Sequence, residues 1–207
     1  LAAFWRSRGV LPRAMLGHSV GELAAACVAG VFSPEEGALL AARRGRLMAD
    51  APEGGMAALA LGEEDAKELL AGHPELDLAA VNALEQIVVS GAVRPLDKLL
   101  AHCRERRIPC ARLAVSRAFH SRLMDGAASA FASAFRGLAL KAPALPWVSN
   151  ETGQWIEPAQ AVDPAYWCRH IRSTVRFSQG LEQLFTAGNA ALLELGPADT
   201  LARLAQA

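Results

Sequence analysis

The sequence predicts an α/β protein in which helices cover both faces of a largely parallel sheet. Three observations support this class. An apolar segment at 11–16 leads through Gly17-His18-Ser19-Val20-Gly21 into a helical pattern that ends near Gly30, which is the order of a strand, a tight turn and a helix. Strand and helix patterns then alternate along most of the chain. Residues 52–115 follow the order strand, helix, strand, strand, helix, strand, which is typical of a ferredoxin-like subdomain.

The composition is that of an ordinary globular protein. Of the 207 residues, 52% are hydrophobic and 20% charged, and 21 Lys plus Arg balance 21 Asp plus Glu. No overall basic field therefore favours nucleic acid or an anionic membrane surface. No apolar run approaches the roughly 20 residues of a membrane span. The 4 cysteines form no C-x-x-C pair, which favours reduced thiols, no metal site and a cytoplasmic location.

The Gly-x-Ser-x-Gly segment predicts a nucleophile elbow at Ser19. Flanking glycines let strand and helix approach closely, while the serine takes a strained backbone conformation that lifts its hydroxyl clear of the sheet. The amides of the following helix point to the place where an oxyanion would form. Ser19 is therefore the candidate nucleophile.

A second helix is predicted from residue 34 to 50. Ser33-Pro34-Glu35-Glu36 combines an N-cap serine, a first-turn proline and an acid three residues after the cap. Arg44 falls on the apolar face of this helix, where a guanidinium is costly unless it meets an anion. Two interpretations stay open from the residues alone: a structural salt bridge to an internal carboxylate, or a bidentate clamp for a substrate carboxylate.

We place the small ferredoxin-like subdomain at residues 52–115 and the larger core at residues 1–51 and 116–207. The subdomain elements are predicted at 56–61, 63–71, 78–83, 86–90, 95–107 and 109–115. His120 is expected at the start of a helix with the apolar stripe Leu123, Ala127, Phe131 and Phe135, and the positive helix end would keep its imidazole neutral. Strands are predicted at 145–150 and 190–195, and helices at 164–171, 178–187 and 198–206.

Six short motifs follow one another along the chain. They are Gly17-His18-Ser19-Val20-Gly21-Glu22, Arg44-Gly45-Arg46-Leu47-Met48, Ala80-Val81-Asn82-Ala83, Ala118-Phe119-His120-Ser121, Tyr166-Trp167-Cys168-Arg169-His170 and Glu194-Leu195-Gly196-Pro197. Together they resemble the acyltransferase domain of modular polyketide synthases and the related malonyl-CoA:acyl-carrier-protein transacylase. The resemblance covers essentially the whole chain and implies an α/β-hydrolase-like core. It also implies that an N-terminal part of the core, with a glutamine that supplies a second oxyanion amide, is missing, so that the sequence is a fragment of a longer polypeptide.

The resemblance implies a role for each matching residue. Ser19 would be the nucleophile and His120 its general base, and the backbone carbonyl of His170 would orient the imidazole in place of a carboxylate. The backbone N–H of Val20 would donate to the oxyanion. Arg44 would bind the free carboxylate of a malonyl group, which favours the clamp over the salt bridge.

The resemblance also implies a substrate and partners. Phe119 beside the base leaves little room for a branch on the acyl α-carbon, so malonyl is expected over methylmalonyl; His18 and Asn82 are assigned to substrate binding. The implied reaction carries an acyl group from acyl-CoA through an acyl-serine to the phosphopantetheine thiol of an acyl carrier protein, in fatty acid or antibiotic polyketide synthesis, with no bound cofactor. Neighbouring ketosynthase and linker domains of the same polypeptide are the other expected partners.

Two other functions stay open. A Ser-His-Asp hydrolase or thioesterase would share the elbow and use Asp163 and His170 as its acid and base, but it would leave Arg44 and His120 without a role. The second is a non-catalytic scaffold fragment of a megasynthase.

Overall fold

Helices and strands alternate through the computed structural model, which describes residues 1–188 and 191–206. The helices are α1 (Ala2–Ser7), α2 (Val20–Ala29), α3 (Pro34–Ala49), α4 (Glu63–Ala71), α5 (Val93–Glu105), α6 (Asp125–Phe131), α7 (Pro158–Ala161), α8 (Pro164–Arg172), α9 (Phe177–Thr186) and α10 (Thr200–Leu204). The strands are β1 (Met15–Leu16), β2 (Gly55–Leu59), β3 (Leu76–Ala83), β4 (Gln86–Gly91), β5 (Cys110–Arg112), β6 (Trp147–Val148) and β7 (Val175–Arg176). The predicted α/β class, with a parallel core pairing and a second sheet, is confirmed.

The larger unit is organised around the parallel pair β1–β6, in which Met15 lies opposite Trp147. Helices α2, α3, α6 and α8 pack together and share one apolar cluster with these strands, in which Leu40, Phe131 and Trp167 are fully buried. Burying a large apolar side chain contributes about 1.5–3 kcal/mol. This cluster therefore holds the helices against the strand that leads into the elbow. None of the helices in the described part of the chain is both long and apolar enough to cross a lipid bilayer.

Helix α3 begins where the sequence predicts. The Ser33 hydroxyl accepts from the Glu36 N–H at 3.2 Å, and the Glu36 carboxylate accepts from the Ser33 N–H at 2.7 Å. Pro34 occupies the first turn, where its missing N–H is not needed. This reciprocal cap fixes the start of the helix, and the inward face that follows carries Arg44, which is only 5% exposed.

Strands β2 to β5 with helices α4 and α5 have the predicted ferredoxin-like arrangement. The strands lie in the spatial order β5-β2-β4-β3 and run antiparallel, and α4 and α5 bury one apolar cluster against the sheet. The start of α5 at Val93 precedes the predicted one, because Pro95 fits in the first turn of a helix. Strand β5 is shorter than predicted, since after Arg112 the chain turns back and the N–H of Val115 donates to the carbonyl of Leu113 at 2.9 Å.

Strand β7 joins the two units. It follows α8 in the larger unit and pairs in parallel with β3 of the subdomain, with Ala80 opposite Val175. The subdomain sheet therefore has five strands, one of which comes from outside residues 52–115. The chain segments that enter and leave the subdomain also lie side by side, with a bridge between Glu53 and Arg117. The boundaries at 52 and 115 stay a prediction.

The strand predicted at 190–195 is wrong in its described part. Residues 191–195 form no strand, and the side chains of Leu192, Leu193 and Leu195 are between 44% and 50% exposed; residue 190 lies outside the described residues. A buried strand needs a neighbour that satisfies its backbone N–H and C=O groups. None of the strands in the described ranges pairs with 191–195.

The helix after His120 also differs from the prediction. A short 3-10 turn, Arg122–Met124, precedes α6, and a second, Ala132–Phe135, follows it. In a 3-10 turn the side chains advance by 120° per residue, so the apolar stripe shifts. Met124 is fully buried, whereas Leu123 is only partly buried.

Candidate active site

Ser19 lies at the turn between β1 and α2 with φ 51° and ψ −116°. Such a conformation is strained for a residue with a side chain, and it directs the hydroxyl away from the turn. Gly17 permits the turn, because a Cβ at this position would lie 2.2 Å from the backbone N of Glu22. Val20 is the first residue of α2, where a backbone N–H has no acceptor within the helix. The strand, turn and helix predicted around Ser19 are present.

The imidazole of His120 lies between a hydroxyl and a carbonyl. Its Nε2 is 2.7 Å from Ser19 Oγ, and its Nδ1 is 2.9 Å from the backbone oxygen of Ser173. A carbonyl oxygen can only accept, so Nδ1 carries the proton and Nε2 presents its lone pair to the Ser19 hydroxyl. This is the tautomer that a general base requires.

The expected role of the His170 carbonyl is corrected by this geometry. The carbonyl that orients the base belongs to Ser173, which follows the last residue of α8. Residues at a helix C-terminus leave carbonyls without intrahelical donors, so such a group is available to the imidazole. The ring of His170 is buried, and its Nε2 lies 3.1 Å from Glu22 Oε2.

Arg44 reaches the nucleophile from α3. Its Nη2 donates to Ser19 Oγ at 2.9 Å, and its buried Nε has no hydrogen-bond partner within residues 1–188 and 191–206. Burial lowers the pKa of Arg44 to about 10, and the negative charge of Glu22 opposes this shift. The guanidinium is therefore charged at neutral pH. No carboxylate in the described ranges lies within 4.0 Å of it, so the salt-bridge alternative is not realised.

The environment of His120 keeps the imidazole neutral. Burial lowers the pKa of His120 well below its ordinary value, and the charges of His170 and Arg44 lower it further, against the opposing hydrogen bond to Ser173. The expected cause of the neutral ring is a helix N-terminus, whereas burial is the main cause in the structure. His120 also has a positive φ of 56°, so its backbone is strained like that of Ser19.

Glu22 is a buried carboxylate behind the site that we did not predict as a site residue. Its Oε1 accepts from Trp147 Nε1 at 3.0 Å and from the Tyr166 hydroxyl, and its Oε2 accepts from the backbone N–H of Asn150 at 2.8 Å. Burial by itself would raise the pKa of Glu22, but the charge of His170 and the hydrogen bonds outweigh it and leave this pKa lowered. The carboxylate is therefore ionised at neutral pH.

Asn150 connects this carboxylate to the elbow. Its Oδ1 accepts from the Ser19 N–H at 2.7 Å, and its Nδ2 donates to the Gly17 carbonyl at 2.8 Å. One side chain thereby fixes both sides of the strained turn. The signal in the sequence was the acid directly after the elbow in an apolar helix, because a buried charge must be paired.

The other predicted substrate-binding residues lie where the two units meet. His18 Nε2 is 2.9 Å from Asn82 Oδ1 on β3, and the His18 ring packs against Phe177 with 5.3 Å between ring centroids. Burial lowers the pKa of His18, and the hydrogen bond to Asn82 opposes this shift. Phe119 packs against both the main core cluster and the cluster between β3, β4 and β7. His18 and Phe119 directly precede Ser19 and His120 in the chain, and Asn82 is connected to the site through its contact with His18.

The acid and base expected for a hydrolase are not brought together. Asp163 caps α8, where its side chain accepts from the backbone N–H of Ala165 at 2.9 Å. His170 approaches Glu22 and not Ser19. A triad of Ser19, His170 and Asp163 is therefore not formed.

The chain is similar in sequence to segments of much longer synthases. The chain is 42% identical over 205 residues to the spectinabilin polyketide synthase system protein NorC of Streptomyces orinoci, covering 98% of this chain and 9% of that protein. It is 43% identical over 196 residues to the mycoketide-CoA synthase of Mycobacterium tuberculosis, covering 94% of this chain and 5% of that protein. The chain thus spans only a small part of these synthases.

Solved structures share the fold. The acyl transferase domain of SpnD, in complex with 2-(pent-4-yn-1-yl)malonyl, matches with a TM-score of 0.94 and 38% identity over 99% of this chain and 50% of that one. The malonyl CoA-acyl carrier protein transacylase of Burkholderia pseudomallei matches with a TM-score of 0.90 and 32% identity over 99% of this chain and 72% of that one. The acyl transferase domain family matches residues 1–207. With an elbow serine, a neutral histidine and a buried arginine brought together in one site, the chain belongs to the acyl transferase domain family.

Proposed function

We propose that this chain transfers a malonyl group from malonyl-CoA to the phosphopantetheine thiol of an acyl carrier protein, by a ping-pong reaction with a Ser19–His120 dyad. The transferase class is supported by the family to which the chain belongs. The malonyl substrate is supported mainly by Arg44, whose buried guanidinium contacts the nucleophile and has a free Nε donor in the described part of the chain.

The dyad supports the following chemistry. As Ser19 Oγ attacks the thioester carbonyl, His120 Nε2 takes its proton, and the Val20 N–H donates a hydrogen bond to the carbonyl oxygen, on which negative charge develops. The C–S bond then breaks, and the imidazolium gives the proton to the departing thiolate. An acyl ester of Ser19 remains. The carrier protein's thiol reverses these steps: His120 takes the thiol proton and returns it to Ser19 Oγ when the ester bond breaks.

Arg44 distinguishes a carboxylated acyl group from a plain one. A charged guanidinium in a buried site binds a carboxylate strongly, because the anion replaces the water that burial removed. In the structure Arg44 Nη2 donates to Ser19 Oγ, so a carboxylate held by this side chain would lie close to the reacting hydroxyl. The acyl carbonyl would then be held near Ser19, which raises the rate by positioning.

Phe119 supports malonyl over methylmalonyl. Its ring packs against two apolar clusters, so it has little freedom to yield to an additional methyl group. A single methyl group in an apolar pocket changes selectivity by about 10- to 200-fold. We therefore expect a preference for malonyl-CoA within this range.

The partners follow from the relatives. One relative is a polyketide synthase system protein, and one structural neighbour is a malonyl CoA-acyl carrier protein transacylase. We therefore propose an acyl carrier protein as the acceptor and a ketosynthase and linker domains as neighbours in the same polypeptide.

Intact mass spectrometry tests this function. The polypeptide that carries this chain is mixed with equimolar malonyl-CoA and methylmalonyl-CoA, and a malonyl adduct that is absent from a Ser19→Ala variant is expected. An adduct that persists in Ser19→Ala contradicts the nucleophile assignment. A methylmalonyl adduct retains the mechanism and overturns the selectivity. Release of free acid with no adduct favours a hydrolase, and the absence of any reaction favours a scaffold.

The Arg44→Ala variant tests whether Arg44 binds the substrate carboxylate or only supports the structure. We expect this variant to lose malonyl transfer by about 100-fold or more, the value of a buried charged contact, while acetyl transfer stays within a few-fold of wild type. Arg46→Ala is the matched control, because Arg46 lies on the exposed face of the same helix. Equal losses of malonyl and acetyl transfer in Arg44→Ala would show that the side chain acts through structure.

A further inference from the structure

We propose that Asp77, on β3 of the small subdomain, is a positioning residue for the dyad. Its single carboxylate binds both the chain segment that carries His120 and the segment whose Ser173 carbonyl orients that base. The inference rests on the proposed role of His120 as the base. It adds a residue from outside the dyad and from the other unit of the fold.

We call the hydrogen bonds that Asp77 forms with the two segments the Asp77 clamp. Its first arm holds the segment that carries His120. Asp77 Oδ2 accepts from the backbone N–H of Arg122 at 2.8 Å and from its Nε at 3.0 Å, and Oδ1 accepts from its Nη2 at 3.1 Å. The two side-chain bonds form the planar fork that fixes a guanidinium in one orientation. Arg122 follows His120 by two residues, so three hydrogen bonds anchor the 3-10 turn beside the imidazole.

The second arm of the Asp77 clamp holds the segment whose Ser173 carbonyl orients the base. Asp77 Oδ1 also accepts from Arg172 Nη2 at 3.2 Å, and Arg172 directly precedes Ser173. On the other side of Ser173, the hydroxyl of Thr174 donates to the carbonyl of Leu78 at 2.7 Å. Both neighbours of Ser173 are thus bound to adjacent residues of β3, and the carbonyl between them has a fixed position.

The backbone of His120 shows why such anchoring matters. Its φ of 56° is a strained conformation, which persists only where the surroundings determine it. The Asp77 side chain is 11% exposed and that of Arg122 is 48% exposed, so the carboxylate is largely buried while the guanidinium reaches the surface. Burial alone would raise the pKa of Asp77, but the hydrogen bonds from Arg122 outweigh it and leave this pKa lowered, so the clamp is charged at neutral pH.

Glu63 provides a matched control. It also joins the subdomain to the larger unit, accepting from Arg176 Nη1 at 3.1 Å and from Gln179 Nε2 at 2.8 Å, and its side chain is 17% exposed. It contacts neither Arg122 nor Arg172. A loss of activity that arises merely from weakening the junction between the units would appear in Glu63→Gln as well.

The test uses Asp77→Asn, Asp77→Glu and Glu63→Gln in the polypeptide that carries this chain. Rapid-quench mass spectrometry measures the acylation of Ser19 against malonyl-CoA concentration. We expect Asp77→Asn to lower the maximal rate constant about 10- to 100-fold, part of the 10²–10⁴-fold that a general base supplies, with the half-saturating concentration changed less than twofold. Asp77→Glu should recover part of the rate, and Glu63→Gln should stay within twofold of wild type.

A serine-reactive fluorophosphonate probe reports on the dyad without any acyl substrate. If wild type reacts with the probe but not with malonyl-CoA, the proposed substrate is wrong. The positioning role of Asp77 is then tested by the probe reaction rates of Asp77→Asn, Asp77→Glu and Glu63→Gln. If wild-type Ser19 reacts no faster than Ser19 in His120→Ala, both the proposed mechanism and this inference are overturned.

Other outcomes address Asp77 alone. Unchanged rates in Asp77→Asn, or equal losses in Asp77→Asn and Glu63→Gln, overturn the positioning role. Should Asp77→Asn not fold, Arg122→Ala removes the two side-chain hydrogen bonds of the first arm, and Arg172→Ala removes the second arm together with the contact of Arg172 with Asp125. The same loss of maximal rate without a change in half-saturation is expected for both. Wild-type rates in both of these folded variants would overturn the inference.

Discussion

Replacing Glu22 by glutamine keeps the shape of the side chain and removes its charge. The amide oxygen can still accept from Trp147 and Tyr166, but the amide NH₂ then faces the backbone N–H of Asn150, so that two donors point at each other. The His170 ring loses the carboxylate oxygen that lies 3.1 Å from its Nε2. We expect this single change to weaken the support of the elbow and to destabilise the fold.

The size of the effect follows from these contacts. An unsatisfied buried donor costs about 1–3 kcal/mol. Asn150 and His170 approach the same oxygen, Oε2, so the loss of the two contacts overlaps and does not add. The expected loss in free energy of unfolding is therefore about 1–3 kcal/mol, which in a domain of this length lowers Tm by on the order of 5 °C.

The stability of Glu22→Gln should depend on pH in a defined direction. The folded-state pKa of Glu22 lies below its ordinary value of 4.5, so its ionisation stabilises the wild-type fold above that value. This contribution disappears as the pH falls through the lowered pKa. The difference in stability between wild type and Glu22→Gln should thus be full at pH 7 and shrink in acid below pH 4.5.

Urea unfolding at several pH values measures both effects. Glu68→Gln is the control, because Glu68 is exposed on α4 and a surface substitution of this kind changes stability by less than about 0.5 kcal/mol. A loss below about 1 kcal/mol in Glu22→Gln at pH 7 would refute the reasoning, since the charge would then contribute nothing beyond the shape of the side chain. A difference that grows in acid would refute the assigned direction of the pKa.

Three further predictions concern the base, the elbow and a helix start. Because burial lowers the pKa of His120 well below 6.5, the acylation rate should stay level from pH 8 to below pH 6.5 in a stopped-flow pH series; a fall centred on pH 6.5 would contradict the neutral buried ring. Gly17→Ala should abolish acylation or folding, because its Cβ would lie 2.2 Å from a backbone nitrogen. Circular dichroism would report the loss of folding, and adduct mass the loss of acylation. A folded, active variant would disprove the close approach. Ser33→Ala should lower the free energy of unfolding in urea by about 1 kcal/mol through the lost cap of α3, with acylation unchanged. An unchanged free energy of unfolding would mean that the cap does not stabilise the helix.

Local chemistry made much of the fold predictable. The elbow at Ser19 depends on neighbouring glycines, and the start of α3 depends on Ser33 and Glu36, so a few adjacent residues suffice to predict each. The order of the subdomain elements follows from hydrophobic periodicity. The inward direction of Arg44 also follows from helical spacing, although its contact with the Ser19 hydroxyl required the structure.

The remaining features depend on residues that are distant in sequence. Glu22 and Asn150 are 128 positions apart, and Asp77 and Arg172 are 95 apart. No local sequence pattern therefore indicates that these residues are in contact. The resemblance implied the carbonyl of His170, whereas the imidazole contacts that of Ser173. Backbone carbonyls near a helix end carry no signature in the sequence that would tell one from the next. The strand at 190–195 was predicted from apolar composition, which does not tell whether a pairing neighbour exists.

The pairing of β7 with β3 limits how this protein can be recombined with its relatives. A chimera that exchanges only residues 52–115 would receive a foreign edge for β7. Unless the incoming β3 carries an acid at position 77, it would also lose the hydrogen bonds from Arg122 and Arg172 to Asp77. The portable unit is therefore discontinuous: it comprises the subdomain, predicted at residues 52–115, together with Arg122 and residues 172–179. Engineers who alter acyl selectivity by grafting should place a crossover on each side of the second segment as well.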